Sequence, residues 1–375
     1  LWISALVTSL GFHLLTARLP IYAGHLGADD VAVGLLTGLL ATAALVGRPI
    51  VGWWMDRTAL AAAPLFLGLV LYAASNLGYW WASTVVALLA FRTLVGIAVA
   101  LHSTASHTLA AHLVPAQRRG ELLSVYAVAA TAAQGVAPAI GVSIAGRAGD
   151  PALFLVAFSL NLLAFVLAWP LRDVRRPPAE HRRNAFINPS VLVPGLLMLT
   201  IMATFGANIA LLPLHASRRG LENPGTVFVA NSIGLLLAQA FAGRVSDRYG
   251  RLTVVGPGLL AAAAGMLLTS ALSGAGLYLA VVLSGVGLGA CQPALQALAA
   301  DLVRPEDRGT AMGTLGLFHE FGVIVGAVGG GLIGRGWGLD TTYIVGGVVA
   351  VAGAVAAFTL HRARAFPPAA AGHNL

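Results

Sequence analysis

Lysine is absent from this 375-residue sequence, and charge of any kind is scarce: 22 basic residues, all of them arginine, and 14 acidic ones amount to 10% of the chain. Ordinary soluble domains carry roughly 25% charged residues. Without lysine there is no glycine-rich phosphate loop closed by one, which argues against ATP as the energy source. The single cysteine, Cys291, excludes an intrachain disulfide and sits in an apolar run, where it reads as a packed small side chain. No segment gathers a nucleophile, a base and an orienting group, so an enzyme is not expected and no cofactor is implied. His102, His107 and His112 are spaced by five. That spacing turns successive rings by about 140° on a helix, unlike the i,i+4 pairs of helical zinc sites, so no metal site is expected.

What the chain has in excess is apolar surface, with 58% of its residues hydrophobic. A helix needs about 20 apolar residues to cross a hydrocarbon layer of roughly 30 Å, and this chain has room for about a dozen such crossings with short loops. Membrane barrels alternate in polarity over about ten residues, whereas 31–47 and 348–360 are apolar on every face. Runs between charged, Gly and Pro punctuation predict helices at 2–22, 30–52, 59–80, 83–112, 119–146 and 152–171, then at 190–215, 224–243, 252–273, 276–302, 308–334 and 340–361. The first run lacks the basic flank of a secretory signal and is read as helix 1. Net charge is +8, but its placement excludes a nucleic-acid reading: the arginines cluster in alternate loops, at 57, 118–119, 172–183, 244–251, 304–308 and 362–364. By the positive-inside rule those loops and both termini are cytoplasmic, which requires an even number of spans.

The two halves repeat each other. Val-Pro-Ala-Gln-Arg-Arg119-Gly120 and Val-Arg-Pro-Glu-Asp-Arg308-Gly309 stand 189 residues apart, as do Gly96 and Gly285; Gly52-x-x-x-Asp56-Arg57 recurs 191 residues later as Gly243-x-x-x-Asp247-Arg248. The expected fold is therefore an all-α membrane protein of 12 transmembrane helices in two pseudo-symmetric six-helix bundles. Its parts are residues 1–171, a cytoplasmic linker at 172–189 rich in Arg and containing Pro177-Pro178, residues 190–361, and a cytoplasmic tail at 362–375. The linker is either a plain tether or a contact for anionic lipid. Parallel repeats of this kind place a substrate site near the midplane between the halves.

The paired Gly-x-x-x-Asp-Arg loops resemble the signature of the major facilitator superfamily, and the second copy, Gly243-Arg-Val-Ser-Asp247-Arg248-Tyr-Gly250-Arg251, is nearly complete. The resemblance implies a gating role, with Asp56 near the start of helix 11 at Gly309 and Asp247 near the start of helix 5 at Gly120, and with Arg119 and Arg308 among the gating residues. Physically, Gly lets helices approach closely, and a carboxylate is stabilised at a helix N-terminus by about 0.3–1 kcal/mol when exposed. Arg92-x-x-x-Gly96 resembles the family's helix-4 motif. Gly135-Val-Ala-Pro138-Ala-Ile-Gly141 resembles a helix-5 element of its exporter branches, with Gly326 and Gly330 as helix-11 counterparts. Proline and glycine there allow bending and tight crossing.

Charged groups inside spans are costly and point to function. Glu320 is about 12 residues into helix 11, roughly 18 Å along it at 1.5 Å per residue. Desolvation disfavours the charge of a carboxyl, which suits such a group to exchange protons. Glu320 is the leading proton-coupling candidate, with His319, Arg92 and His13 beside it; a structural Glu bound to backbone or Arg is the alternative. For Arg92, whose mate in the second half is Val281, the options are a proton path, a substrate-anion contact or a structural anchor. His13, Arg18, His102, Gln134, Asn208, Gln292 and Gln296 are candidate substrate contacts or interhelical hydrogen-bond partners. The resemblance and these residues together predict a secondary transporter of a bacterial inner membrane. The leading expectation is proton-coupled efflux of amphipathic compounds, and the alternative is proton-coupled uptake of a polar nutrient or organic anion. A non-transporting receptor or membrane-embedded enzyme is the reading from another class, and two paired gating loops speak against it. Expected partners are the small-molecule substrate, protons and membrane lipid, with the chain a monomer.

Overall fold

The computed structural model describes residues 1–57, 62–113, 119–172, 174, 187–304 and 307–363, and within them leaves aside the side chains of 56, 57, 107, 110–113 and 119–129. Among these residues there is no strand. The helices are α1 (Trp2–His25), α2 (Asp30–Arg57), α3 (Ala63–Trp81), α4 (Val85–Leu113), a stretch Arg119–Ala168, then α7 (Leu192–Arg218), α8 (Thr226–Tyr249), α9 (Leu252–Ala271), α10 (Ala275–Asp301), α11 (Arg308–Trp337) and α12 (Leu339–Arg362). The apolar part of the fifth stretch, Ala130–Leu171, is 42 residues long. At 1.5 Å per residue that is about 63 Å, twice a hydrocarbon layer. Gly149, at φ 84 and ψ 165, breaks it, giving α5 (119–148) and α6 (150–168). Gly338 stands between α11 and α12 at nearly the same angles, φ 87 and ψ 156. Only glycine adopts that region freely, so the same residue makes the same turn in both halves. With α5 and α6 separate and α3 included, twelve described helices are of crossing length.

Contacts divide the chain into two units: Leu1–Arg182 with Glu222–Val229, and Arg183–Leu221 with Ala230–Leu375. Each unit repeats the packing of the other. In the first, α1 packs on α5 and α6, α2 on α4, and α3 on α4 and α6; in the second, α7 packs on α11, and α9 on α10 and α12. The closest crossings match as well. A Cβ added to Gly141 of α5 would lie 1.9 Å from the Leu14 carbonyl oxygen of α1, and one added to Gly326 of α11 would lie 1.9 Å from the Ala203 oxygen of α7. Gly96 and Gly285 do the same for α4 on α2 and α10 on α8, at 2.4 Å from the Leu40 oxygen and 2.0 Å from the Asn231 oxygen. In lipid, where burial from water drives nothing between helices, such small-residue crossings let backbones approach and gain dispersion. α1 and α7 also end alike, with Ala28 N–H donating to the Ala23 oxygen and Leu221 N–H to the Ala216 oxygen, the six-to-one bond that closes a helix C-terminus. Large apolar side chains face outward, among them Val86, Phe241 and Val348, and Trp81 and Trp337 stand exposed at helix ends. That is the surface a helix presents to lipid tails, with tryptophan at the headgroup level.

Several sequence expectations shift. The signature residues are not in loops: α2 continues through Arg57 and α8 through Tyr249, so Gly52, Asp56, Gly243, Asp247 and Arg248 ride on final helical turns. Charge outside the hydrocarbon does not break a helix, and α8 stops only at Gly250, with φ 98. Close approach at Gly52 and Gly243 is not seen, since a Cβ on either would meet no described atom within 4 Å. α1 loosens into a turn at 15–17. Pro20 has no N–H to offer the Thr16 carbonyl, which removes the helical bond at that point. In α11, residues Val325–Gly329 form a π-helical turn around Gly326. Most of the linker, the tail beyond 363, and the side chains of Asp56, Arg57, His107, His112 and Arg119 lie outside the described residues.

Candidate functional site

In the first unit, Arg92 is the buried cation, 7% exposed on α4. Its Nε donates to the Leu36 carbonyl oxygen of α2 at 3.2 Å, and its Cζ stands 5.4 Å from the centre of the Phe12 ring. Phe12 meets His13 edge-on at 4.9 Å and Tyr72 at 6.2 Å; Tyr72 in turn meets His102 at 6.0 Å. His102 Nε2 lies 3.5 Å from Ser106 Oγ, and His13 Nδ1 lies 3.4 Å from Thr16 Oγ1. Three residues picked from the sequence, Arg92, His13 and His102, are thus joined through two aromatic rings that were not. Tyr79 was also missed. Its side chain is 0% exposed and its hydroxyl lies beside the Arg92 guanidinium. One signal was available: Tyr72, Ser75, Asn76 and Tyr79 fall at i, i+3, i+4 and i+7 on α3 and are all buried, a polar stripe in an otherwise apolar span.

Arg18 is held elsewhere. Its Nε and Nη2 bond Asp150 Oδ1 and Oδ2 at 2.6 and 2.9 Å, tying α1 to the first turn of α6. A two-pronged charged bond of this kind fixes direction as well as distance. We expect Arg18→Ala or Asp150→Ala to cost about 1–3 kcal/mol. The double variant is expected to cost less than the two single changes together in a thermal-unfolding cycle; strict additivity would show that the pair contributes no coupling. Gln134 is half-buried on α5, and Pro138 deprives its carbonyl of the usual amide partner. Asn223, in the turn before α8, donates from Nδ2 to the Ala139 oxygen and to Ser143 Oγ, both at 3.0 Å.

In the second unit, Glu320 is 7% exposed on α11, in the turn before the π-helical segment, and His319 next to it is half-buried. Asn208 of α7 is buried with its Oδ1 unpartnered among the described residues. Gln292 is half-buried and Gln296 exposed on α10. The signature charges close on each other: Arg251 pairs with Asp247, with Asp301 Oδ2 at 2.9 Å and with Ser246 Oγ at 3.3 Å. Partial burial works against the Arg251 charge, but the hydrogen bonds and charges of Asp301 and Asp247 outweigh it and raise its pKa. Arg248 stands over the Tyr249 ring at 5.4 Å, and Arg308 is exposed at the start of α11. A second cluster was not foreseen: His215 Nε2 lies 3.0 Å from the Thr269 oxygen, and Arg219 bridges Asp340 and the Ser270 oxygen.

Comparison with known proteins agrees along the whole chain. The family model described as Major Facilitator Superfamily matches residues 1–224 and 195–373. An uncharacterised MFS-type transporter of Methanocaldococcus jannaschii is 25% identical over 362 residues, covering 92% of each chain, and one of Burkholderia pseudomallei is 25% identical over 352 residues, covering 91% of this chain and 86% of its own. Among solved structures, a bacterial homologue of the human lysosomal transporter Spinster superposes with a TM-score of 0.80 at 15% identity over 96% of both chains. A POT family transporter in complex with a thioalcohol-conjugated peptide superposes with a TM-score of 0.83 at 12% identity, over 96% of this chain and 95% of its own. At such identities the structures speak to the fold alone.

Proposed function

Since the chain belongs to the major facilitator superfamily and is a multi-pass membrane transporter, we propose that it works by alternating access and exports small amphipathic compounds in exchange for protons. The observation that carries the proton reading is Glu320, a carboxyl 7% exposed within an apolar span. A carboxyl can bind and release a proton, and access to one compartment at a time lets that exchange be coupled to transport. For the direction, the support is the helix-5 element. Its Gly141 sits where any side chain would strike the α1 backbone, a tight crossing of the kind the exporter resemblance implies.

Transport direction is tested with a panel of amphipathic dyes and organic acids in inverted and right-side-out membrane vesicles under an imposed pH gradient. Uptake into inverted vesicles alone supports export, and accumulation only in right-side-out vesicles overturns it. The arginine-bearing loops and both termini are proposed to be cytoplasmic, in a bacterial inner membrane, with the chain a monomer. Cysteines placed at His25 and Arg304, both exposed, separate the two faces. With an impermeant maleimide, His25→Cys is expected to react in intact cells and Arg304→Cys only after permeabilisation; the reverse would invert the topology.

A further inference from the structure

Beside α5 lies a cavity of about 480 Å³, a volume within the range of small-ligand sites. Ile140, Ile144 and Arg147 of α5 form one side of it, and Asn223 and Thr226, from the turn into α8, form another. All of its lining belongs to the first unit, because contacts place Glu222–Val229 there. The other polar atoms of the wall bond to each other. Asn223 donates from Nδ2 to the Ala139 oxygen and to Ser143 Oγ, and its Oδ1 accepts from the Gly225 amide. Ser143 Oγ donates to the Ala139 oxygen as well, and Thr226 Oγ1 donates to the Asn223 oxygen. Arg147 is the exception: it is exposed, and among the described residues no hydrogen bond or ion pair engages it. A guanidinium offers five N–H donors and keeps its charge at every physiological pH. Asp150, three residues on, is held through both oxygens by Arg18, at 2.6 and 2.9 Å. Glu222, exposed next to Asn223, pairs with no cation among the described residues. The turn itself does not require a cation, because Gly336 stands two residues before Gly338, where Arg147 stands two before Gly149.

Below the guanidinium the wall is apolar. Ile140, 46% exposed, lies seven residues or about 10 Å from Arg147 along α5, with Ile144 between them on the same helix face. Arg147 just precedes the turn at Gly149, where the chain leaves one crossing for the next, and a long cationic side chain at a span's end reaches the headgroup level. An apolar slot with an unbalanced cation at its lip complements an anionic head on a hydrocarbon tail. In a chain surrounded by lipid, a molecule of that description is always at hand. We infer that this cavity holds one anionic phospholipid, with its phosphate on Arg147 and the first part of an acyl chain against Ile144 and Ile140. The site is independent of which compound the protein transports and of proton coupling at Glu320.

The test reads the lipid beside the cavity in the full chain, reconstituted in phosphatidylcholine vesicles. Ala148→Cys, exposed and one turn beyond Ile144, is labelled with a bimane fluorophore; the native Cys291 is buried and stays unlabelled. A fixed share of brominated phosphatidylglycerol or of brominated phosphatidylcholine is then included as quencher. The anionic lipid is expected to quench as though enriched about fivefold at the label, the preference that one arginine gives at a membrane surface. Arg147→Gln is expected to remove that enrichment, and Arg147→Lys, which keeps the charge, to preserve most of it. Val86→Cys, 75% exposed at the start of α4, reports lipid away from the cavity and is expected to show no preference. Equal quenching by the two lipids overturns the inference, as does an enrichment that survives in Arg147→Gln or is equalled at Val86→Cys. So does octanoate shielding the label in phosphatidylcholine alone while phosphatidylglycerol shows no preference, which would assign the cavity to a soluble anion.

Discussion

Replacing Glu320 by glutamine is expected to abolish uphill transport while leaving exchange intact. Glutamine keeps the size and hydrogen-bonding capacity of the side chain but cannot bind and release a proton. One proton crossing about 150 mV supplies roughly 3.5 kcal/mol. At about 1.4 kcal/mol per tenfold, that sustains a gradient of a few hundredfold. In proteoliposomes under an imposed proton gradient, Glu320→Gln should lower the accumulation ratio of any compound the parent concentrates to about one. Exchange of labelled for unlabelled substrate needs no net proton movement and should persist. The position makes this the sharpest single change available: the carboxyl is buried in α11, in the turn before its π-helical segment. Accumulation at the parent's level would remove Glu320 from the coupling path.

The second large effect concerns the two tightest helix crossings. Gly141→Ala would set a Cβ 1.9 Å from the Leu14 carbonyl oxygen, and Gly326→Ala would do the same against the Ala203 oxygen. The obstacle in each case is backbone, so no change of rotamer relieves it, and a helix must move. Overpacking of this kind costs about 1–3 kcal/mol or more. Both variants should melt about 5 °C or more below the parent in detergent. Gly316, also on α11, has no described atom within 4 Å of an added Cβ. Gly316→Ala should therefore be neutral or slightly stabilising, by up to about 1 kcal/mol of helix propensity. If Gly141→Ala and Gly326→Ala melted with the parent, the crossings would not be the tight contacts described.

The helices were legible because their signal is local. A run such as 348–360 is apolar on every face, and the helix that holds it, Leu339–Arg362, departs from its expected bounds of 340–361 only at the ends. The duplication was legible too, since Gly96 and Gly285 perform the same crossing in each unit. Ends were harder. α8 was expected to stop at 243 and runs to Tyr249, because a charged turn beyond the lipid remains helical until a glycine such as Gly250 reverses the backbone.

Side-chain partnerships depend on tertiary placement and were mostly hidden. Arg18 read as a substrate contact because Asp150, 132 residues away, leaves no mark beside it in the sequence. Arg92 and Glu320 were visible as charges in apolar runs. Phe12, which stands over Arg92, is one more apolar residue in an apolar span, whereas the polar stripe of Tyr72, Ser75, Asn76 and Tyr79 was periodic enough to be found.

The central claim is that substrate and proton movements are obligatorily linked in opposite directions. It is tested most directly by loading proteoliposomes of known orientation with a transported compound, imposing only its outward gradient, and following internal pH with a trapped dye. Exchange predicts that the lumen acidifies as the compound leaves, in the parent and not in Glu320→Gln. Efflux with no pH change, or with protons leaving alongside the compound, would contradict it.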